Sequence, residues 1–116
     1  MIMIKIHKTL TPERWFKFSL MEQLANVGTD IERTIQWKKA GNLDYSQKAF
    51  ERALELLYYT IADPKNIKRG TLRELCRMRE ALLDYFMGDN EYCTTDEIWS
   101  RYFYEFNYAA AMEKGR

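Results

Sequence analysis

Four stretches of the chain repeat apolar residues at intervals of three and four, and this spacing constrains the fold more than any other feature. In the first stretch the apolar positions continue in phase from Phe16 to Ile35, as they do along one face of an α-helix. Gly28 lies within this stretch without shifting its phase, so we expect a neighbouring helix to approach closely there. The spacing predicts four amphipathic helices, near residues 12–40, 43–62, 71–87 and 94–112.

Capping and turn residues bound the predicted helices. Thr11 precedes Pro12, which is typical of a helix start. The threonine hydroxyl can accept a hydrogen bond from a free amide of the first turn, and proline has no amide that would remain unbonded there. Two later helices are predicted to begin with capping boxes, at Thr71 and Thr94, each followed three residues later by a glutamate. The predicted helix ends are Gly41, Asp63–Pro64 and Gly88.

The connections between the predicted helices are short. Because short links make successive helices antiparallel neighbours, we predict an all-α fold, an antiparallel four-helix up-down bundle that forms one domain over residues 1–116. Residues 1–10 precede the bundle and alternate isoleucine with other residues, as a strand does. We expect this short segment to be extended or disordered, to lie against the bundle, or to pair with another copy.

The composition narrows the classes of partner and compartment. A formal net charge of +1 with 30% charged residues provides no field of one sign to attract nucleic acid or a membrane surface. No apolar run approaches the length of about 20 residues that spans a bilayer. The two cysteines form no CxxC pattern, and a chain of this size with a good apolar pattern needs no disulfides. We therefore expect a cytoplasmic protein that does not bind membranes.

No stretch carries a catalytic, metal or nucleotide signature. The one histidine, His7, lies outside the predicted bundle, so the Glu-x-x-His pairs of a di-metal bundle are not available. The acidic loop from Asp89 to Glu97 lacks the alternating ligands and central glycine of an EF-hand loop. Cys76 falls on an apolar helical stripe and is predicted to be a core residue, whereas Cys93 is a loop thiol. We expect no enzymatic activity, no metal and no cofactor.

Three segments, "FSLMEQLANVGTDIERTIQWKKAGN", "KAFERALELLYYTIADP" and "DYFMGDNEY", resemble a group of small uncharacterised bacterial all-helical proteins. The resemblance covers most of residues 15–111 and implies a helical fold without assigning an activity.

Two narrower resemblances concern the helices. The segment from Trp37 through Gly41-Asn42 to "KAFERALEL" and Asp63-Pro64 is similar to one tetratricopeptide repeat. It has no second copy at the period of about 34 residues that stacking requires. A four-helix bundle also resembles the HEPN group, whose active nucleases carry an arginine followed by a histidine on one helix. This chain has no such pair, so the resemblance implies a non-catalytic HEPN-like partner protein as an alternative.

Basic residues distinguish the third predicted helix. Arg69, Arg73 and Arg77 are four residues apart and share one helical edge, which is a possible contact for anions or nucleic acid. The simpler interpretation is a solvated or salt-bridged face, so a nucleic-acid partner is disfavoured. Arg79 falls on the apolar stripe of the same helix, and we predict that it forms a buried ion pair with a carboxylate, since an unpaired buried guanidinium is costly.

Aromatic residues, 15% of the chain, carry the functional prediction. A helix over 12–40 is about 43 Å long and overhangs its shorter partners, which exposes Trp15, Phe16 and Phe18 near its start. Tyr104 and Tyr108 add aromatic surface to the last helix. Since exposed apolar patches usually mark interfaces, we expect a non-enzymatic protein-protein interaction module that forms a homodimer or binds another protein. The alternatives are that residues 1–10 cover the overhang, and that the protein associates with nucleic acid.

Overall fold

The computed structural model describes residues 10–115, apart from the side chain of Arg69. Within this range the chain is helical and contains no strand, which confirms the predicted all-α class. The extended or disordered segment predicted for residues 1–10 lies, except for Leu10, outside the described residues. The five α-helices are α1 (Pro12–Trp15), α2 (Leu20–Lys39), α3 (Leu43–Ala62), α4 (Arg69–Met87) and α5 (Asp96–Lys114), with a 3-10 helix at Pro64–Asn66.

The prediction of one continuous helix over residues 12–40 is wrong. α1 begins as predicted, with the Thr11 hydroxyl accepting the amide of Arg14, but it ends after one turn. α2 then starts anew after Ser19, whose hydroxyl accepts the amide of Glu22 at 3.2 Å while the Glu22 carboxylate accepts the amide of Ser19 at 3.2 Å. This reciprocal capping box satisfies two free amides and fixes the start of α2.

The other boundaries agree with the sequence in part. α3 occupies the predicted residues, and Gly88 ends α4 as predicted. α4 begins at Arg69 without a side-chain cap, so the capping box predicted at Thr71 is wrong. α5 is capped one residue later than predicted, by Thr95, whose hydroxyl accepts the amide of Ile98 at 3.2 Å. A side-chain hydroxyl caps a helix where the residue that carries it has an extended backbone. Thr95 has this extended conformation.

α2 lies at the centre of the packing. Its backbone approaches α3 and α5 closely, and α4 packs against α3. Gly28 allows the approach to α5, because a Cβ built on it would lie only 2.6 Å from the Cβ of Phe103. This confirms the neighbouring helix predicted at that glycine. The buried apolar side chains form one cluster: Trp15, Leu24, Val27, Ile31, Ile35, Phe50, Ala53, Leu56, Leu57, Leu75, Met78, Leu82, Trp99 and Phe103.

Candidate interaction surfaces

The aromatic overhang predicted at the start of the first helix does not form. Trp15 is only 3% exposed, and its indole N–H donates to the Thr60 hydroxyl at 3.0 Å. Phe16 is half-buried, and Phe18 is 39% exposed and contacts the Trp15 ring edge-on. Because the chain turns back after α1, Trp15 belongs to the core and offers no surface to a partner.

A buried polar network beside Trp15 joins α2 to the end of α3. The Gln23 amide donates to the carbonyl of Trp15 at 3.1 Å and to the Asp63 carboxylate at 2.8 Å. The Asn66 amide donates to the Gln23 side-chain oxygen at 2.9 Å and to the carbonyl of Thr60 at 3.0 Å. We call these five residues, Trp15, Gln23, Thr60, Asp63 and Asn66, the polar clamp.

Asp63 is the charged member of the polar clamp and is 2% exposed. Burial by itself would raise the pKa of its carboxyl, but hydrogen bonds from Lys65 and Gln23 outweigh burial and hold the pKa below its usual value. The Lys65 ammonium pairs with this carboxylate and also donates to the carbonyl of Phe16 at 3.0 Å. Since these polar groups bind one another, the polar clamp stabilises the fold and connects its helices.

A second polar cluster joins α2, α4 and α5. The Lys38 ammonium donates to the Asp96 carboxylate at 2.7 Å and to the Tyr85 hydroxyl at 3.2 Å, and that hydroxyl donates to the same carboxylate at 2.6 Å. Burial would lower the pKa of Lys38, yet its hydrogen bonds to Asp96 and Tyr85 raise it. A lysine with a raised pKa stays protonated near neutral pH, so the cluster ties helix ends together rather than supplying a nucleophile.

An aromatic groove of about 740 Å³ lies between α2 and α5. Phe103 and Tyr104 line it from α5 and Trp37 from α2, together with Gly28. Tyr104 is 66% exposed, and Tyr108, one turn further along α5, is 61% exposed. Of the five aromatic residues predicted to form an interface, these two present the most surface.

A basic groove of about 660 Å³ lies between α2, α4 and α5. Leu20, Met21 and Phe106 contribute half-buried apolar side chains to its lining, while Arg73, Glu74 and Arg77 are exposed on its α4 side. The Arg77 guanidinium lies 3.5 Å from the Glu74 carboxylate, and both side chains are mostly exposed. Two of the three arginines predicted on one edge therefore share this groove, and the side chain of Arg69 lies outside the described part.

Two predictions about residues of α4 are wrong, because the helix turns a different face toward the core than the sequence pattern indicates. Arg79 is half-buried, and no ion pair between described residues includes it, so the buried ion pair is not formed. Cys76 is exposed rather than in the core. Among the described side chains of α4, the buried ones are Leu75, Met78 and Leu82, which lie on one side of the helix. The buried stripe is thus centred away from Arg79 and still further from Cys76.

Searches for similar proteins returned no match: no protein-family model, no curated protein and no solved structure matches the chain. No described helix is both long and apolar enough to cross a membrane. Between residues 10 and 115 there is no group of three or more His, Cys, Asp or Glu side chains placed to hold a metal ion.

Proposed function

We propose that the protein is a non-enzymatic protein-protein interaction module that self-associates through the exposed aromatic surface of α5. The observation that carries the proposal is the aromatic groove, which Trp37 and Tyr104, 39% and 66% exposed, line together with the buried Phe103. Tyrosine and tryptophan are enriched at protein interfaces because they bury a large area and lose little side-chain entropy. Exposed apolar residues that form a contiguous patch, unlike single scattered ones, usually mark protein interfaces.

The scaffold of this proposal is an antiparallel up-down bundle of the four long helices. Trp37 of α2 packs on Tyr45 of α3 beside their connecting turn, while Gln23, near the start of α2, binds Asp63 after the end of α3. In the same way Lys38 contacts Asp96 at the start of α5, and Ser19 before α2 bonds to Glu113 near the end of α5. These pairs support opposite directions for neighbouring helices.

A reducing compartment such as the cytoplasm belongs to the same proposal. Cys76 and Cys93 are both free and exposed. Exposed thiols persist in a cytosol that keeps them reduced, whereas an oxidising compartment promotes intermolecular disulfides.

Light scattering at micromolar concentration tests self-association. We expect the wild-type chain to have a mass of about twice 14.0 kDa or more, and Tyr104→Glu to lower it, because a charge buried in an aromatic interface is costly. The matched control is Tyr58→Glu, which changes a tyrosine of similar exposure on α3 and should leave the mass unchanged. A wild-type mass of 14.0 kDa would contradict the proposal.

A nucleic-acid contact is the alternative that a specific feature favours, namely the side-by-side exposure of Arg73 and Arg77 at the basic groove. Adjacent arginines neutralise phosphates. The apolar lining of the same groove fits a protein segment better than a phosphate backbone, which is why we prefer a protein partner.

A further inference from the structure

Charge is divided between the two ends of α4. Residues 65–79 contain six basic residues and one acidic residue, whereas residues 80–97 contain six carboxylates and neither lysine nor arginine. α4 spans Arg69–Met87 and contains four of the six basic residues, whereas four of the six carboxylates follow it, in the connecting loop and the first turn of α5. The nearly neutral chain is therefore electrically polar along this helix.

The acidic end also exposes apolar side chains. Met87, Tyr92 and Ile98 are 58%, 60% and 49% exposed, and the carboxylates of Glu91 and Glu97 are exposed beside them in sequence. We call residues 87–98 the acidic tip. Acidic and apolar groups together are the complement of a groove that has an apolar lining and a basic rim.

Hydrogen bonds hold the acidic tip in one conformation. The two Asp84 carboxylate oxygens accept the amides of Glu91 at 2.8 Å and Tyr92 at 3.0 Å. The Asn90 side chain bonds to both the amide and the carbonyl of Thr94, each at 3.0 Å. A segment ordered before binding loses less conformational entropy when it docks, so the tip is suited to insertion as a preformed unit.

The acidic tip of one copy does not fill its own basic groove. The described residues that line the groove include none from 87 to 98. The start of the tip, Met87, lies fourteen residues beyond Arg73 on α4, a distance of about 21 Å at 1.5 Å per residue, and hydrogen bonds at Asp84 and Asn90 hold the tip in place. A contact between tip and groove must therefore join two molecules.

We propose that the protein assembles head to tail, with the acidic tip of one copy docked in the basic groove of the next. In this contact Tyr92 packs on the apolar lining, and Glu91 and Glu97 pair with Arg73 and Arg77 of the neighbouring copy. Because the two surfaces differ, the contact leaves a free tip and a free groove, and repetition gives a chain or a closed ring. This inference rests on the proposed self-association but assigns it a second surface, distinct from the aromatic groove.

Two full-length variants test the assignment. The groove variant carries Arg73→Glu and Arg77→Glu and keeps its tip, while the tip variant carries Glu91→Gln, Tyr92→Ser and Glu97→Gln and keeps its groove. The substituted side chains are exposed, and circular dichroism checks that both variants remain helical. At about 50 mM salt, where screening is weak, we expect the wild-type mass to exceed twice 14.0 kDa and each variant alone to fall below the wild-type mass.

The decisive measurement is light scattering of an equimolar mixture of the two variants in the Tyr104→Glu background. There, each variant alone should have a mass of 14.0 kDa. The mixture retains one intact tip and one intact groove per pair, so we expect a complex of about twice 14.0 kDa that grows no further and dissociates at high salt. A mixture that stays at 14.0 kDa overturns the head-to-tail contact.

Other outcomes separate this contact from its competitors. If Tyr104→Glu alone abolishes association and the groove and tip variants have no effect, the head-to-tail contact is wrong and the aromatic dimer stands. If the groove and tip variants act and Tyr104→Glu does not, the aromatic dimer fails instead. Retention of the wild type on a random single-stranded RNA, lost in the groove variant without any change in mass, would assign the arginines to nucleic acid and overturn the inference.

Discussion

At the scale of single residues, the absence of one side chain sets the distance between two helices. Gly28 has no Cβ, and the backbone of α2 uses that space to approach Phe103 of α5. At Gly70, in the first turn of α4, a Cβ would meet no side chain of the described residues within 4 Å, its two chain neighbours apart. The same residue type therefore has opposite consequences at the two positions.

Gly28→Ala should destabilise the protein. The added Cβ meets the Phe103 Cβ at 2.6 Å, and relieving an overpacked contact costs about 1–3 kcal/mol. The better helix propensity of alanine returns about 1 kcal/mol, which leaves a net loss of up to about 2 kcal/mol. Urea denaturation measures the free energy of unfolding.

The control for this change is Gly70→Ala. Outside the backbone of its own helix and its two chain neighbours, no atom of the described residues lies within 4 Å of the added Cβ there, so we expect no loss of stability and a gain of up to about 1 kcal/mol. Equal effects of the two substitutions would contradict the close approach of α2 and α5.

At the scale of elements, the start of α2 decides which aromatic residues are available to a partner. Ser19 and Glu22 close a capping box, and α2 therefore begins there instead of continuing from Pro12. The turn before Ser19 returns α1 to α3, where Trp15 is buried. The capping box at Ser19 therefore places Trp15 in the core, whereas the sequence predicts an interface residue at this position.

Ser19→Ala should shorten or loosen the first turn of α2 and lower the free energy of unfolding by about 1 kcal/mol, because the amide of Glu22 loses its acceptor. Thermal unfolding followed by circular dichroism reports the change. Thr71→Ala is the matched control, since the sequence predicts a cap at Thr71 and the structure assigns it none. A change at Thr71 as large as that at Ser19 would show that the capping assignment is wrong.

At the scale of the whole molecule, the two polar clusters brace opposite ends of α2. The polar clamp, with Asp63 as its charged member, joins the start of α2 to α1 and the end of α3. The second polar cluster, formed by Lys38, Tyr85 and Asp96, joins the end of α2 to α4 and α5. Each cluster contains one carboxyl, Asp63 or Asp96. Burial would raise the pKa of each carboxyl, but hydrogen bonds outweigh burial and hold it below its usual value. Acid therefore weakens the contacts at both ends of α2.

Acid should remove the contribution of Asp63 to stability. Its pKa in the folded state lies below the ordinary value of 3.8, so the contribution is complete above that value and disappears as the pH falls through the lower folded pKa. Asp63→Asn should therefore be less stable than the wild type at neutral pH and should lose less stability on acidification.

Urea denaturation at about pH 7, 5 and 3 measures this difference. Asp89→Asn, at an exposed loop position, is the control and should follow the wild-type curve. An acid response of Asp63→Asn that matches the wild type would refute the role of the clamp.

Residue spacing along the chain predicts the helical class, the residues of α3, the end of α4 at Gly88 and the close neighbour at Gly28. The sequence also contains the signal for the start of α2, since Ser19 and Glu22 have the spacing of a capping box, although the apolar phase appears continuous across it. These features are predictable because helix periodicity and capping depend on residues three or four positions apart.

Contacts between distant parts of the chain determine which of these side chains are buried. Trp15 bonds to Thr60, 45 residues away, and Lys38 bonds to Asp96, 58 residues away, so local spacing contains no information about either contact. The rotation of α4, which buries Met78 and exposes Cys76, likewise follows from how that helix packs on α3. A wide apolar stripe is compatible with several rotations of a helix, and the packed partners select one of them.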